Sequence, residues 1–273
     1  RIAFQGELGA YSHQACRQAR PQMEAVPCAT FEEVIALTRS GAADLGMLAV
    51  ENSTYGRVAD VHRLLPRSGL HIIDEAFVRV HINLLAVKGT KLAQVKRVRC
   101  MSILLGQCGT FLKDHNLATL NWSDNAAAAR DVAALADPAE AALASELAGE
   151  IYGLDVLARQ IEDQANNTTR FLVMSREPDL SRRSDQMMTT FIFRVRNIPA
   201  ALYKAMGGFA TNGVNMTKLE SYMVGGVFTA TEFYADIEGH PADANVMRAM
   251  EELRYFTTEM EILGVYPADR PRA

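Results

Sequence analysis

Ile2-Ala3-Phe4-Gln5-Gly6-Glu7-Leu8-Gly9-Ala10-Tyr11-Ser12 reads as a short apolar strand running into a glycine-punctuated turn, with Ser12 placed to cap a helix over residues 13–20. The same order recurs further on. Thr30-Phe31-Glu32-Glu33 has the form of a capping box, and Gly41 stands where a helix C-cap belongs. The apolar run from Leu45 to Val50 then ends in the polar turn Glu51-Asn52-Ser53-Thr54-Tyr55-Gly56, and a short helix is expected after Arg57. Strand, loop and helix in alternation predict an α/β fold, a mostly parallel sheet with helices on its faces. Binding residues in such folds collect in the loops beyond the carboxyl ends of the strands, which is where both polar loops fall.

Outward from this core, strands are expected over residues 70–80, 81–87, 154–161 and 170–174. Helices are expected over 103–115, 125–135 and 139–152, the last two favoured by their alanine content. Residues 175–186 carry charge and a proline without apolar periodicity and read as a linker. Beyond it the pattern changes to β-α-β-β-α-β. Strands are expected at 187–196, 214–222, 227–238 and 260–266, and helices at 200–210 and 242–255. Val224-Gly225-Gly226 is the hairpin signal, and the unit has the order of a ferredoxin-like sandwich.

With 273 residues, at roughly 100–200 per domain, two domains are expected, and the chain can bury a substantial core unaided. The net charge of −4 without a block of like charges argues against a nucleic-acid or membrane-surface partner. Cys16, Cys28, Cys100 and Cys108 have no metal-ligand spacing and no accompanying histidine cluster, so free thiols and no metal are expected. No apolar run reaches the ~20 residues of a membrane span, and no signal peptide precedes the first strand, so the expected location is cytoplasmic.

The Gly6-x-x-Gly9-x-x-Ser12 turn is either an anion site at a helix N-terminus or an ordinary tight turn; it is neither a phosphate loop nor a dinucleotide fingerprint. Glu51-Asn52-Ser53-Thr54 is either a polar site at a strand tip or a helix-capping turn. In Asn167-Thr168-Thr169-Arg170-Phe171, a hydroxyl donor adjoins a fork-shaped carboxylate ligand; the bland alternative is a surface loop with one structural ion pair. Asp124-Asn125 before four alanines reads as an N-cap and first turn.

Taken in order, these loops resemble prephenate dehydratase of the bacterial type with a C-terminal ACT domain. The resemblance rests on Phe4-Gln5-Gly6-Glu7 through Gly9-Ala10-Tyr11-Ser12-His13, Val50-Glu51-Asn52-Ser53, Gly106-Gln107-Cys108, Asp124-Asn125-Ala126-Ala127-Ala128-Ala129 and Asn167-x-Thr169-Arg170-Phe171. In the second domain it rests on Pro199-Ala200-Ala201-Leu202 and Asn215 through Ser221. Four departures stand out: Cys100-Met101 replaces Ser-His, Asn125 replaces Thr, Ala200 replaces Gly, and Tyr222-Met223 replaces Arg-Pro.

The resemblance implies a two-lobed, periplasmic-binding-protein-like catalytic module over residues 1–178, with lobe one at 1–76 and 167–178 and lobe two at 77–166, followed by an ACT domain at 187–268. It implies cofactor-free conversion of prephenate to phenylpyruvate, with Thr169 and Glu51 catalytic and Asn52, Ser53, Gln107, Asn125, Arg170, Gly9, Ala10 and Tyr11 contacting substrate. It further implies feedback by L-phenylalanine bound near Leu202, Asn212, Gly213, Val214, Asn215, Met216, Glu220 and Ser221, and a homodimer or tetramer paired through the ACT domain. The rival readings are arogenate dehydratase and a non-catalytic amino-acid or keto-acid sensor on the same fold.

Overall fold

The computed structural model describes residues 1–223 and 230–269; the hairpin turn expected at Val224-Gly225-Gly226 lies outside them. The chain divides into two compact units, Arg1–His62 with Ala76–Phe171, and Arg63–Glu75 with Leu172–Ala273. The strands His71–Arg79 and Thr168–Ser175 each contribute residues to both units.

The first unit holds two sheets. In one, Ile2–Gln5 lies between Ala25–Cys28 and Leu45–Asn52, all parallel, with Thr168–Ser175 on the far side of Leu45–Asn52. In the other, the order is Asp155–Ala158, Asn83–Ala86, Glu140–Ala144, Arg97–Cys100, Ala118–Asn121. Its last three strands run parallel and its first two pair antiparallel. Central strands of this kind read as continuous apolar runs because both faces are covered. Glu140–Ala144 is buried at every position.

Several boundaries differ from the sequence reading. The first helix is Tyr11–Ala19, starting before Ser12, and its N-cap Ala10 makes no side-chain cap bond. His13 instead folds back onto the turn before the helix, its Nδ1 accepting the Gly9 N–H at 3.0 Å. The helix expected at 103–115 is broken into Ser102–Leu105 and Gly109–Asp114, with Gly106-Gln107-Cys108 as the interruption. Residues 139–152 are not one helix but the strand Glu140–Ala144 and the helix Glu146–Tyr152, capped by Ser145. Alanine's intrinsic preference gives way there to burial on both faces of a sheet. Asn125–Leu135 forms as expected, with Asp124 accepting from the Ala127 N–H at 2.8 Å.

The second unit contains the expected β-α-β-β-α-β order, as Met187–Val195, Ala201–Thr211, Met216–Met223, Ala230–Glu238, Ala244–Phe256 and Thr257–Pro267. Its strands are antiparallel, Met216–Met223 beside Ala230–Glu238, then Met187–Val195, then Thr257–Pro267. Phe191, Phe193, Phe209, Phe233, Ile237, Met250 and Leu253 form the core beneath the two helices. Gly264 pairs with Ile72 in parallel, which ties residues 63–75 to this unit. The stretch read as a linker has no regular structure from Arg176 to Gln186, yet it is anchored: Arg182 Nη1 donates to Asp74 at 3.2 Å, and His240 Nε2 meets the Leu180 carbonyl at 3.2 Å. No helix among the described residues is long and apolar enough to cross a membrane.

Candidate active site

Two polar loops of the first unit are stitched together at neighbouring strand ends. Ser53 N–H donates to the Thr168 carbonyl at 2.9 Å, Thr168 N–H donates to Ser53 Oγ at 2.9 Å, and Ser53 Oγ donates to the Asn166 carbonyl at 2.6 Å. This brings Glu51, Asn52 and Ser53 beside Asn167, Thr169 and Arg170, separated by more than a hundred residues of chain.

Asn52 is the hub. Its Oδ1 accepts the backbone N–H groups of Thr54 at 2.9 Å and Tyr55 at 3.1 Å, an Asx turn that fixes which side of the amide is oxygen. The amide nitrogen therefore faces the other way, donating to Asn167 Oδ1 at 2.6 Å and Thr169 Oγ1 at 3.0 Å. Asn167 Nδ2 in turn donates to Gln107 Oε1 at 3.0 Å. Four of these side chains thus make one directed chain, Thr169–Asn52–Asn167–Gln107. Thr169 is half-buried, its hydroxyl oxygen is taken as an acceptor, and among the described residues no protein group accepts its proton. Gln107 is 8% exposed and sits in the interruption between the two short helices.

Arg170 is 2% exposed, and its Nη1 donates to Glu51 Oε1 at 2.9 Å. A guanidinium this deep requires a charge partner, and Glu51 supplies one. Sequence reasoning left Arg170 open between a substrate ligand and a structural ion pair; the geometry engages it inward.

The remaining candidates lie on the first loop and on the other sheet. Gly9 donates to His13, and Ala10 N–H donates to the Glu7 carbonyl at 3.0 Å, so neither N–H is an open anion donor. Gly9 adopts φ of +95°, and a Cβ there would lie 2.8 Å from Ala148 Cα, so only glycine fits this approach. Tyr11 donates its hydroxyl to the His81 carbonyl at 2.9 Å, and burial, with Glu162 and Cys108 nearby, pushes its pKa upward. Asn125 accepts the Met101 N–H at 2.9 Å through Oδ1. This organises the Cys100-Met101 departure but does not join Asn125 to the Thr169 chain. Arg130 and Glu7, paired at 2.9 Å, hold the first loop to the Asn125–Leu135 helix.

Two cavities border these groups. One of about 200 Å³ is lined by Thr54, Tyr55, Gln107, Glu162, Gln164 and Asn167 among others. One of about 420 Å³ lies against Gly6, Glu7, Ser123 and Asp124. The four cysteines are buried, and burial pushes the thiols of Cys16, Cys100 and Cys108 up to about 12, which removes them as thiolate nucleophiles near neutrality.

His13 stacks on Phe4 with ring centroids 5.4 Å apart and is held neutral, its pKa lowered first by burial and then by Arg17. Its folded pKa lies below its unfolded one. The stabilisation is therefore complete above about pH 6.5 and is lost as pH falls through the folded value. In urea titrations, the stability deficit of His13→Gln relative to the parent is expected to shrink between about pH 7 and about pH 5. A deficit that stays constant would contradict a neutral acceptor.

The chain is similar to known proteins along most of its length. A family model described as prephenate dehydratase matches residues 2–179. A bifunctional N-acyl-homoserine lactone acylase/prephenate dehydratase of Komagataeibacter europaeus is 48% identical over 268 residues, covering 98% of this chain and 95% of that protein. An arogenate dehydratase/prephenate dehydratase of Arabidopsis thaliana, chloroplastic, is 35% identical over 286 residues, covering 100% of this chain and 73% of its own length. Among solved structures, prephenate dehydratase from Arthrobacter aurescens in complex with L-Phe superposes with a TM-score of 0.89 at 29% identity, covering 98% of this chain and 89% of that one.

Proposed function

The chain belongs to the prephenate dehydratase family, a family of dehydratases acting on prephenate or arogenate in aromatic amino-acid biosynthesis, and from that premise we propose that it converts prephenate to phenylpyruvate, CO2 and water at the Thr169 site. Prephenate carries a ring hydroxyl opposite a carbon bearing a carboxylate and a pyruvyl arm. The C–C bond to the carboxylate breaks, its electron pair enters the ring, and the C–O bond opposite breaks. The carboxylate leaves as CO2 and the hydroxyl, once protonated, as water. Aromatisation drives the reaction, so the protein has only to hold two carboxylates and help one hydroxyl leave.

The observation that carries this reading is the orientation of Thr169. Because Asn52 donates to Oγ1, the hydroxyl proton is left to point at a substrate oxygen. A threonine hydroxyl is a very weak acid, so its part is a hydrogen bond to the departing oxygen, with the proton of the product water drawn from solvent. Glu51, the other candidate proton source, is engaged by Arg170. We assign this pair to holding the strand end and setting the local field. Asn52 and Ser53 position the loop, Gln107 faces the substrate, and Ser123 and Asp124, next to Asn125, border the second cavity together with the first loop. In this reading the two sheets of the first unit are two lobes that close on substrate, which would exclude water and align it.

The second unit is read as an ACT domain that binds L-phenylalanine, the ligand named for the Arthrobacter relative, and pairs with another copy in a dimer or tetramer. Asn212 caps the Ala201–Thr211 helix, and its amide binds the Gly208 carbonyl, Glu252 and Arg248. Gly213 has φ of +63°, Val214 is buried, and the exposed Asn215 leads into the Met216–Met223 strand that carries Glu220 and Ser221. Leu202 packs at the edge of the core. Inhibition requires that phenylalanine bind the less active state more tightly.

The direct test is phenylpyruvate formation from prephenate, with arogenate as the parallel substrate, in the presence and absence of phenylalanine. Release of phenylpyruvate supports the assignment. Turnover of arogenate alone would reassign the substrate, and ligand binding without CO2 release would leave a sensor. Phenylalanine is expected to inhibit, and Asn215→Ala to raise the half-inhibitory concentration by about tenfold, the value of one hydrogen bond to a charged ligand. Unchanged inhibition in that variant would move the effector site away from residues 212–216. Removing residues 187–273 would be a poorer test, because it strips Ile72 of its strand partner Gly264.

A further inference from the structure

We infer that Asn167, to which no role falls in the reading above, is a positioning residue: its buried amide fixes the direction in which Gln107 faces, so that the Gln107 N–H2 is presented to the anionic substrate. This rests on the assignment of the Thr169 site to prephenate. Asn167 is 3% exposed and stands just before the strand that carries Thr169, and Asn52 donates to both side chains, which places them on the same side.

The direction of the chain is set by groups that cannot reverse. The N–H groups of Thr54 and Tyr55 can only donate, so Asn52 must offer them oxygen and turn its nitrogen to Asn167. Asn167 must then receive with Oδ1 and give with Nδ2, and Gln107 must receive with Oε1. Turning any one amide round would set two oxygens or two N–H2 groups face to face in a buried site, leaving unpaired polar atoms. The Gln107 amide nitrogen has no protein partner among the described residues, and Gln107 lines the cavity shared with Asn167, Thr54 and Tyr55. A dianion arriving there meets that donor in a cavity also lined by Glu162 and Asp163, so the direction of the Gln107 amide bears on whether it is accepted. With the opposite polarity it would meet a carbonyl oxygen.

An aspartate at 167 can accept but not donate, so Asn167→Asp should make Gln107 turn its N–H2 inward and its oxygen toward the substrate. The variant is expected to raise KM for prephenate by about tenfold, with a smaller change in kcat, since Asn52 still orients Thr169. Gln107→Met removes the same donor and should raise KM similarly. The decisive reading is the double-mutant cycle: if Asn167 acts through Gln107, Asn167→Asp adds little in the Gln107→Met background, whereas a merely structural role gives additive penalties. Additive penalties, or an unchanged KM in Asn167→Asp, would overturn the inference. The same cycle built on Asn167→Ala serves if a buried carboxylate prevents folding. Failure of the parent protein to release CO2 from prephenate would instead overturn the function on which the inference rests, and is read in the same assay.

Discussion

Thr169→Ala is expected to lower kcat by about 10²–10⁴-fold, the usual contribution of a positioned proton-donating group. KM should change far less. The substitution removes the hydroxyl and the γ-methyl, and with them an acceptor for Asn52 as well as a donor to substrate, but the part-exposed Asn52 amide keeps Asn167 as a partner. Thermal unfolding should therefore stay close to that of the parent. Thr169→Ser, which restores the hydroxyl on a looser rotamer, should recover most of the rate. Stopped-flow measurement of phenylpyruvate absorbance with both variants decides the matter. A Thr169→Ala protein within a few-fold of the parent would take the threonine out of the mechanism and turn attention to Glu51.

Gly264→Ala is expected to destabilise the second unit by about 3 kcal/mol, the upper range for overpacking a closed site. Gly264 pairs with Ile72 at a close parallel contact, and a Cβ added there would lie 2.3 Å from the Ile72 carbonyl oxygen and 2.4 Å from its Cβ. Both are atoms of a strand rather than the end of a flexible side chain, so relief requires moving backbone. Gly207→Ala, in the Ala201–Thr211 helix with nothing within 4 Å of the new methyl, is the control. It should be neutral to stabilising by about 0.5–1 kcal/mol. Urea titrations of the two variants giving equal midpoints would show that the strand contact tolerates expansion.

Local rules read some of these elements well and others badly, and the division has physical causes. Asn125–Leu135 is legible at its start because Asp124 is a strong cap and at its body because alanine favours helix. The same alanine signal misleads at 139–152, because burial on both faces of a sheet is decided by partners far away in the chain. The strands Ala25–Cys28, Arg97–Cys100 and Ala118–Asn121 are only four residues long, the first holding a proline and the second two arginines, so no run of alternation is long enough to mark them. At the candidate site, Glu51, Asn52 and Thr169 are readable as polar residues at the tips of apolar strands, and the structure does bring them together. Asn167 stands in a quoted motif, yet its part depends on an amide orientation fixed by Thr54 and Tyr55, which no linear pattern records. The signal that was available is a short polar run entering an apolar strand, with one of its asparagines bound to be buried.

Ala126, Ala128 and Ala129 of one helix rest on Ala142 and Ala144 of the strand beneath it, with Ala148 alongside. Methyl groups have no rotamers to exchange, so this seam cannot absorb a larger side chain by local readjustment. Any enlargement must lift the helix, and with it the amide of Asn125 at its first turn. Drift at these positions is thus coupled to the geometry at Met101, although none of the alanines comes near a reacting atom, and serine or glycine are the replacements such a seam admits.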